Sequence, residues 1–327
     1  MSGLKVLNPI TLTNAMLLFS SLDEADYPAW VSGTAYAANA RVIRTQTHSI
    51  YQAAVAVTSA TAPESDPTNW VRVGPTNRWA MFDNSVNTRS SSPGAELSVK
   101  IKPGRCNGLA LINVATASWA RLECVYPRAV DAGLATLVEV EDYAYNIKLT
   151  RTTNYAAGTI SLKFDITLEN RNVSDWKGFF VEPYTIMTDV FVGFATRSDM
   201  EITLTMPAGA QLGAWLVGNY IELGDVGYGV SSGIDDYSVK STDEFGVTTL
   251  IERDFAKRVN FPVTVENFYM RRSFSTLAAL RAKPALFVGS DDYRYSPFTV
   301  FGYVSNFDVA LSFATYSIIN VEVKGLT

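Results

Sequence analysis

Residues 160–166 read ISLKFDI, an alternation of apolar and polar side chains with a period of two. The same alternation recurs at 97–101 (LSVKI) and at 120–125 (ARLECV). Successive side chains of a strand point to opposite faces, so the pattern predicts strands with one buried and one solvated face. Turn residues interrupt it at 103–104 (PG) and 107–108 (NG). The sequence therefore predicts a mainly β chain with many hairpins.

One segment, residues 266–281, has helical periodicity instead. Pro284 follows it, and residues 285–289 (ALFVG) have the composition of a buried strand. We therefore expect a C-terminal α+β unit with one amphipathic helix laid over a sheet. The side chains that can share one face of this helix are Phe268, Ser275, Leu277 and Leu280.

Short polar or glycine-rich segments divide the chain at 23–26 (DEAD), at 74–77 (GPTN) and between residues 224 and 233. Strands of the alternating type fill most of the remainder. The predicted regions are an N-terminal arm (1–24), a small carbohydrate-binding-like β module (25–75), a jelly-roll-like β-sandwich (76–228) and a C-terminal α+β assembly domain (229–327). The N-terminal arm is predicted to pack on a neighbouring domain or subunit.

Composition and charge exclude several classes of protein. The chain of 327 residues is 47% hydrophobic and 18% charged, which is typical of a folded protein and excludes disorder as its main state. A net charge of −5, without clusters of Lys or Arg, gives no electrostatic footprint for nucleic acid or anionic membrane. The first 20 residues make a poor secretory signal, and no run approaches the roughly 20 apolar residues of a membrane span. We expect a protein made in a cytoplasm, without nucleic acid or membrane insertion.

Catalytic chemistry has few candidates. His48 is the sole histidine, which argues against a Ser-His-Asp triad or a multi-histidine metal site, and its segment predicts an exposed hairpin turn. The acidic pairs at 235–236, 243–244 and 291–292 each place their carboxylates on opposite faces of a strand. A solvated turn is favoured at 291–292, with calcium binding as the alternative. The sequence predicts no catalytic residue, cofactor or metal.

The two cysteines, Cys106 and Cys124, have a spacing that fits neither a zinc ribbon nor a redox pair. Free cysteine is among the most frequently buried residue types. The favoured interpretation is two buried thiols in neighbouring strands. A disulfide formed after release from a cell remains the alternative.

Aromatic residues punctuate the short segment 27–75, with Trp30, Tyr36, Tyr51 and Trp70 as its largest side chains. An exposed aromatic ring binds sugar because the apolar face of a pyranose stacks on it. A module of about 50 residues, however, has almost no core and uses its largest side chains to build one. Both uses stay open for these four residues.

The order of these residues resembles the chitin-binding modules of bacterial chitinases: YPAW at 27–30, then the two tyrosines, late prolines and Trp70. The resemblance implies a miniature sheet. In that family an exposed aromatic pair follows the second tyrosine and stacks the chitin chain, whereas this chain has AAVAV at 53–57. The implied ligand is therefore lost or changed. The glycan-contact candidates are Tyr51 and His48, with Tyr36, while Trp30 and Trp70 are expected chiefly to hold the fold.

A second resemblance covers most of the chain. The stretches 75–83 (PTNRWAMFD), 212–218 (LGAWLVG), 253–258 (RDFAKR) and 321–326 (VEVKGL) are similar to a family of tailed-bacteriophage virion proteins. The resemblance implies a non-enzymatic structural subunit near the tail tip or baseplate, active in assembly and in host attachment. Its partners would be other tail proteins, copies of itself and a host cell-surface glycan. The alternatives are an extracellular polysaccharide-binding protein and a capsule depolymerase with two facing carboxylates.

Overall fold

The computed structural model is mainly β, with 54% of its residues in strands, 8% helical and a single α-helix. The residues it describes are 3–83, 85, 87–115, 119–126, 147–154, 159–166, 169–174, 188–192, 198, 200–242, 244–246, 248–290 and 297–326. This confirms the predicted fold class of a mainly β chain with one helix. The acidic residues at 243 and 291–292 lie outside the described residues.

The described elements comprise twenty-four strands, the helix α1 (Met270–Ala279) and two 3₁₀ turns (Pro63–Ser65 and Ala80–Phe82). In chain order the strands are β1 (Gly3–Pro9), β2 (Leu17–Ser20), β3 (Ala35–Tyr36), β4 (Arg41–Arg44), β5 (Ser49–Ala53), β6 (Val57–Thr58), β7 (Trp70–Pro75), β8 (Ser90–Ser91), β9 (Leu97–Ile101), β10 (Gly108–Ala115), β11 (Trp119–Tyr126), β12 (Ile147–Asn154), β13 (Thr159–Ile166), β14 (Glu169–Ser174), β15 (Thr188–Val192), β16 (Glu201–Met206), β17 (Gln211–Val226), β18 (Ser231–Asp236), β19 (Val239–Thr242), β20 (Thr248–Ile251), β21 (Phe255–Glu266), β22 (Ala285–Val288), β23 (Thr299–Ala310) and β24 (Tyr316–Gly325).

Two sheets pack face to face in the first half of the fold. A seven-stranded sheet has the order β14-β13-β12-β11-β16-β9-β2, and a ten-stranded sheet begins β15-β10-β17-β1. Their facing strands bury alternate residues, such as Leu97, Val99 and Ile101 of β9 opposite Leu109 and Leu111 of β10. The period-two pattern in the sequence therefore reports the faces of this β-sandwich.

The ten-stranded sheet continues into the second half of the fold as β22-β23-β24-β21-β18. Here its buried face carries Phe261, Phe287 and Val321, and α1 packs there with Leu277 and Leu280. Complete burial of each leucine contributes about 1.5–3 kcal/mol. Because the same sheet runs past the predicted boundary at residue 228, the sandwich and the α+β unit are joined by continuous hydrogen bonding.

The N-terminal strand lies in the centre of the ten-stranded sheet. β1 pairs antiparallel with β17 on one side and with β22 on the other. Leu4, Val6 and Leu7 are buried, and β2 adds a strand to the smaller sheet by pairing with β9. The predicted N-terminal arm thus packs on the same chain, where it adds a strand to each of the two sheets.

The buried face of α1 differs from the predicted one. Ser273, Leu277 and Leu280 face the sheet, and the Ser273 hydroxyl donates a hydrogen bond of 3.0 Å to the carbonyl oxygen of Leu223. Ser275 is exposed, and Phe268 lies before the helix with its side chain 86% exposed. The predicted face was wrong at Phe268 because the helix begins only at Met270, so Phe268 belongs to the preceding turn. It was wrong at Ser275 because this residue is two positions from both Ser273 and Leu277, which places it on the opposite side of the helix.

The small module folds around a three-stranded sheet of order β4-β5-β7 and the short pair β3-β6. Strand β5 is central, and it pairs with β4 through Val42↔Tyr51 and with β7 through Ala53↔Trp70. Its alternating burial directs Ser49, Tyr51 and Ala53 inward. The module is therefore a miniature sheet with an aromatic core.

Candidate functional site

The aromatic residues of the module form its core. Tyr51 and Trp70 are only 6% and 3% exposed, and they cluster with Val42 and Ala53. Tyr36 packs edge-on against Trp70, with ring centroids 5.3 Å apart. Because stacking requires an exposed ring face, the structure corrects the assignment of Tyr51 as a glycan contact. Tyr51 and Trp70 stabilise the module instead.

Trp30 is half-buried and one of its faces is covered by Arg44, whose guanidinium carbon lies 4.8 Å from the ring centroid. Glu64 fixes that guanidinium through two hydrogen bonds, of 3.1 Å from Nε and 2.7 Å from a terminal nitrogen. Hydrogen bonding from Arg44 lowers the pKa of Glu64 below its ordinary value. A sugar would have to displace this bidentate pair to stack on that face.

His48 lies in the turn between β4 and β5, as predicted, but it does not project into solvent. Its ring stacks on Trp79 at a centroid distance of 4.0 Å and an interplanar angle of 19°. Its Nδ1 lies 3.0 Å from a carboxylate oxygen of Glu24, and the same oxygen accepts a 3.0 Å hydrogen bond from the Thr76 hydroxyl. His48 therefore docks the module onto the segments before and after it. Trp79 covers one face of its ring, and the assignment of His48 as a glycan contact stays a prediction.

An aromatic series continues from this junction into the sandwich. The Trp79 ring meets Phe82 at 5.7 Å, and Phe82 meets Trp215 of β17 at 5.7 Å. Trp215 is 1% exposed and belongs to the sandwich core. The backbone N–H of Thr76 also donates to the carbonyl oxygen of His48. These contacts hold the module against the larger fold.

A row of hydrogen-bonded polar side chains, here called the polar row, lies on the module surface. None of them was among the residues predicted from the sequence to contact a ligand. Arg41 Nε donates to the amide oxygen of Gln52 at 3.0 Å, and the Gln52 amide nitrogen donates to the side chain of Asn39 at 3.1 Å. A terminal nitrogen of Arg41 also donates to the Tyr27 hydroxyl at 3.0 Å. Arg41 is exposed at the start of β4, and Gln52 is on the outward-facing side of β5. Their pairing was missed because register is a tertiary property.

The two cysteines are buried and free, which confirms the favoured interpretation of their burial. Cys124 lies on β11, whereas Cys106 lies in the connection between β9 and β10 rather than in a strand. Burial raises the pKa of both thiols to about 12. Nucleophilic thiolate chemistry is therefore suppressed at neutral pH. Within the described residues, no group of three or more His, Cys, Asp or Glu side chains is arranged to hold a metal ion.

A shallow cavity of about 670 Å³ lies at the joint between β18 and β19 and between β20 and β21. Its lining includes Glu252 and Asp254, which flank Arg253, together with Tyr237. Residues two apart on an extended chain point to the same side, so these carboxylates share a concave surface. Both side chains are exposed, whereas a glycosidase general acid requires a buried environment.

Two surfaces carry exposed large apolar side chains. The first is the hairpin of β19 and β20 with its joint, residues 237–254. It is called the arm from here on and is distinct from the N-terminal arm of residues 1–24. Leu250 and Ile251 are its exposed aliphatic residues. The second, here called the helix-end surface, comprises the turn before α1 and the turn between β23 and β24. Its exposed side chains are Phe268, Tyr269, Leu311 and Phe313.

Comparisons of the chain with protein-family models, with characterised proteins and with solved structures find no match. Among the described residues, no helix is long and apolar enough to cross a membrane. The geometry of the chain itself therefore carries the functional argument.

Proposed function

We propose that this protein is a structural, non-enzymatic subunit of a tailed-phage virion, located at the tail tip or baseplate, where it contributes to assembly and host attachment. The observation that carries the proposal is the exposure of large apolar side chains on both the arm and the helix-end surface. Clustered exposed apolar residues mark protein interaction sites, and permanent interfaces bury such residues.

The arm supports an assembly role most directly. Every residue of β20, Thr248–Ile251, is exposed, and β19 and β20 form a separate two-stranded sheet. A two-stranded hairpin with both faces in water is marginally stable on its own. A partner that covers the arm would offset this cost and bury Leu250 and Ile251.

The module supports the host-attachment part of the proposal. The contacts of His48, Trp79 and Glu24 hold it in one orientation against the sandwich. A subunit anchored through its larger sheet would therefore display the module as a fixed projection. The tail is proposed as the place of this assembly because residues 75–83, 212–218, 253–258 and 321–326 resemble phage virion proteins.

A phage whose genome encodes the chain provides the test. With an amber codon in this gene, particles grown in a non-suppressing host should lack a complete tail tip, and particles from a suppressor host should be normal. An antibody against the chain should label normal tails at one end in electron micrographs. Complete tails in which mass spectrometry detects no copy of this chain would refute the proposal.

Glycan binding is the second candidate function, and the polar row favours it because its amide and guanidinium groups suit sugar hydroxyls. We expect the purified chain to be retained on host cell-wall glycan and Arg41→Ala to lose retention. Tyr51→Phe, which changes only a buried hydroxyl, should bind as the wild type does. Equal retention of the wild type and Arg41→Ala would exclude the polar row as the contact site.

The depolymerase alternative depends on Glu252 and Asp254. We expect no release of reducing ends when the chain is incubated with host capsule. Release by the wild type and its loss in Glu252→Gln would replace the structural proposal with hydrolysis by two carboxylates. Release that persists in Glu252→Gln would point to a contaminating enzyme.

A further inference from the structure

We propose that the arm of one copy binds the helix-end surface of a second copy, so that the chain associates head to tail. The inference rests on the proposed assembly function and names the partner of those two surfaces. It follows from their apolar residues, their opposite charge and their positions at opposite ends of one strand.

The arm exposes apolar side chains that a partner could bury. It continues the β18–β21 hairpin across a joint in which the Tyr237 N–H meets the carbonyl oxygen of Asp254 at 3.4 Å and the Arg253 N–H donates to the Ser238 hydroxyl at 3.1 Å. Beyond the joint, Leu250 is 68% exposed. Leu250 and the neighbouring Ile251 point to opposite faces of the ribbon, so a groove that encloses the arm would bury both.

The helix-end surface is a preformed platform. The side-chain amide of Asn267 donates to the carbonyl oxygens of Phe313 at 2.9 Å and Ala314 at 3.0 Å, which ties the two turns together. Phe268 packs edge-on against Tyr269 with ring centroids 5.0 Å apart. Ordering these aromatic residues before binding reduces the entropy lost on association.

The two surfaces carry opposite charge. In sequence, the arm has four carboxylates against two cationic side chains, whereas the turn before α1 and the first helical turn, residues 266–272, have two arginines against one carboxylate. Arg271 and Arg272 lie in the first turn of α1, where the helix dipole disfavours positive charge, and both are exposed. An acidic partner would relieve this unfavourable placement and steer the encounter.

Geometry excludes closure of the arm onto the same copy. Strand β21 begins at the joint of the arm with Phe255 and ends before α1 with Glu266. At about 3.3 Å per residue, the strand separates the two surfaces by roughly 36 Å. One copy therefore offers both complementary surfaces but cannot join them. Pairing between copies is heterologous, which generates a ring when the rotation closes.

Two variants separate the surfaces in a sedimentation experiment. Leu250→Asp disables the arm, and Phe268→Asp disables the helix-end surface by adding a carboxylate that repels the acidic arm. We expect the wild type to form oligomers and each variant to weaken association at least about 30-fold, as truncation of a hot-spot residue does. Val71→Asp, at a 55% exposed position of the module, is the matched control and should associate as the wild type does.

Mixing the two variants is the decisive step. Each keeps the surface that the other has lost, so an equimolar mixture should form heterodimers that do not grow further. Unchanged thermal unfolding of the separate variants shows that both are folded. A monomeric wild type, or a mixture that stays monomeric, would overturn head-to-tail pairing. Neither result alters the particle test of the proposed function, in which the chain is either present in the tail or absent.

Discussion

The stack of His48 on Trp79 is predicted to couple the module to the sandwich. His48→Ala removes a ring contact at 4.0 Å and the 3.0 Å contact of Nδ1 with Glu24. An aromatic pair contributes about 0.5–1.5 kcal/mol beyond the area it buries, and a hydrogen bond to a charged group contributes about 1.5–3 kcal/mol. The His48 side chain is 19% exposed, so solvent screens part of the second contribution. We expect His48→Ala to destabilise the module by about 2 kcal/mol.

A double-mutant cycle isolates the stack. Trp79→Leu keeps an apolar side chain at the buried position while removing the ring, and the double variant combines the two changes. The coupling energy between the positions should be about 0.5–1.5 kcal/mol, measured by urea unfolding of the four proteins. Gln46→Ala, at an exposed position in the same turn, is the matched control and should change stability by less than about 0.5 kcal/mol.

Limited proteolysis gives an independent measure of docking. Arg78 lies between Thr76 and Trp79, so loosening of the junction should expose a tryptic site there. His48→Ala should be cut at this site faster than the wild type and Gln46→Ala at the wild-type rate. Additivity of the two substitutions to within about 0.3 kcal/mol, with unchanged cleavage, would show that the stack does not join the module to the sandwich.

Three further predictions concern stability. Burial raises the pKa of Cys106 and Cys124 to about 12, and thiols of the unfolded chain titrate near 8.5. The contribution of the two buried thiols to the free energy of unfolding should therefore be fully present below about pH 8, fall by about 4 kcal/mol between about pH 8 and 10, and fall further toward pH 12. A double Cys→Ala variant should show a flatter pH dependence in urea unfolding. Tyr51→Ala should cost about 3–5 kcal/mol and unfold the module, as detected by near-ultraviolet circular dichroism. Gly302→Ala places a Cβ against the backbone oxygen of Lys324, so its thermal midpoint should fall below that of the wild type, and an unchanged midpoint would contradict this contact.

The strands were predictable wherever one face of the strand is buried and the other is exposed to solvent. Residues 97–101 alternate in sequence and show the same alternation of burial in β9. The central position of β1 in the ten-stranded sheet was not predictable, because it depends on pairing with β17 and β22, more than 200 residues away. Those partners also join the two predicted C-terminal regions through one sheet.

The candidate site was predictable in its residues but not in their roles. The sequence left Tyr51 and Trp70 open as a stacking platform or as core residues. The small size of the module decides for the core, since it has few other large side chains to bury. For His48 the missing information was its partner. Trp79 lies 31 residues along the chain, outside the predicted module. The sequence around a hairpin turn predicts the turn but not a contact that its residues make across a domain boundary.

These roles have a consequence for how the protein would meet other molecules. The buried rings of Tyr51 and Trp70 stabilise the module and leave no exposed face for a sugar, so recognition at the module would depend on groups at its surface, such as the polar row. In the C-terminal third, large apolar side chains are exposed near both ends of β21, on the arm and on the helix-end surface. Under the proposed function, these two surfaces would supply apolar association and the polar row of the module would supply a weaker polar contact. This division suits a subunit that is held permanently by its neighbours while it presents a fixed projection to a changing surface.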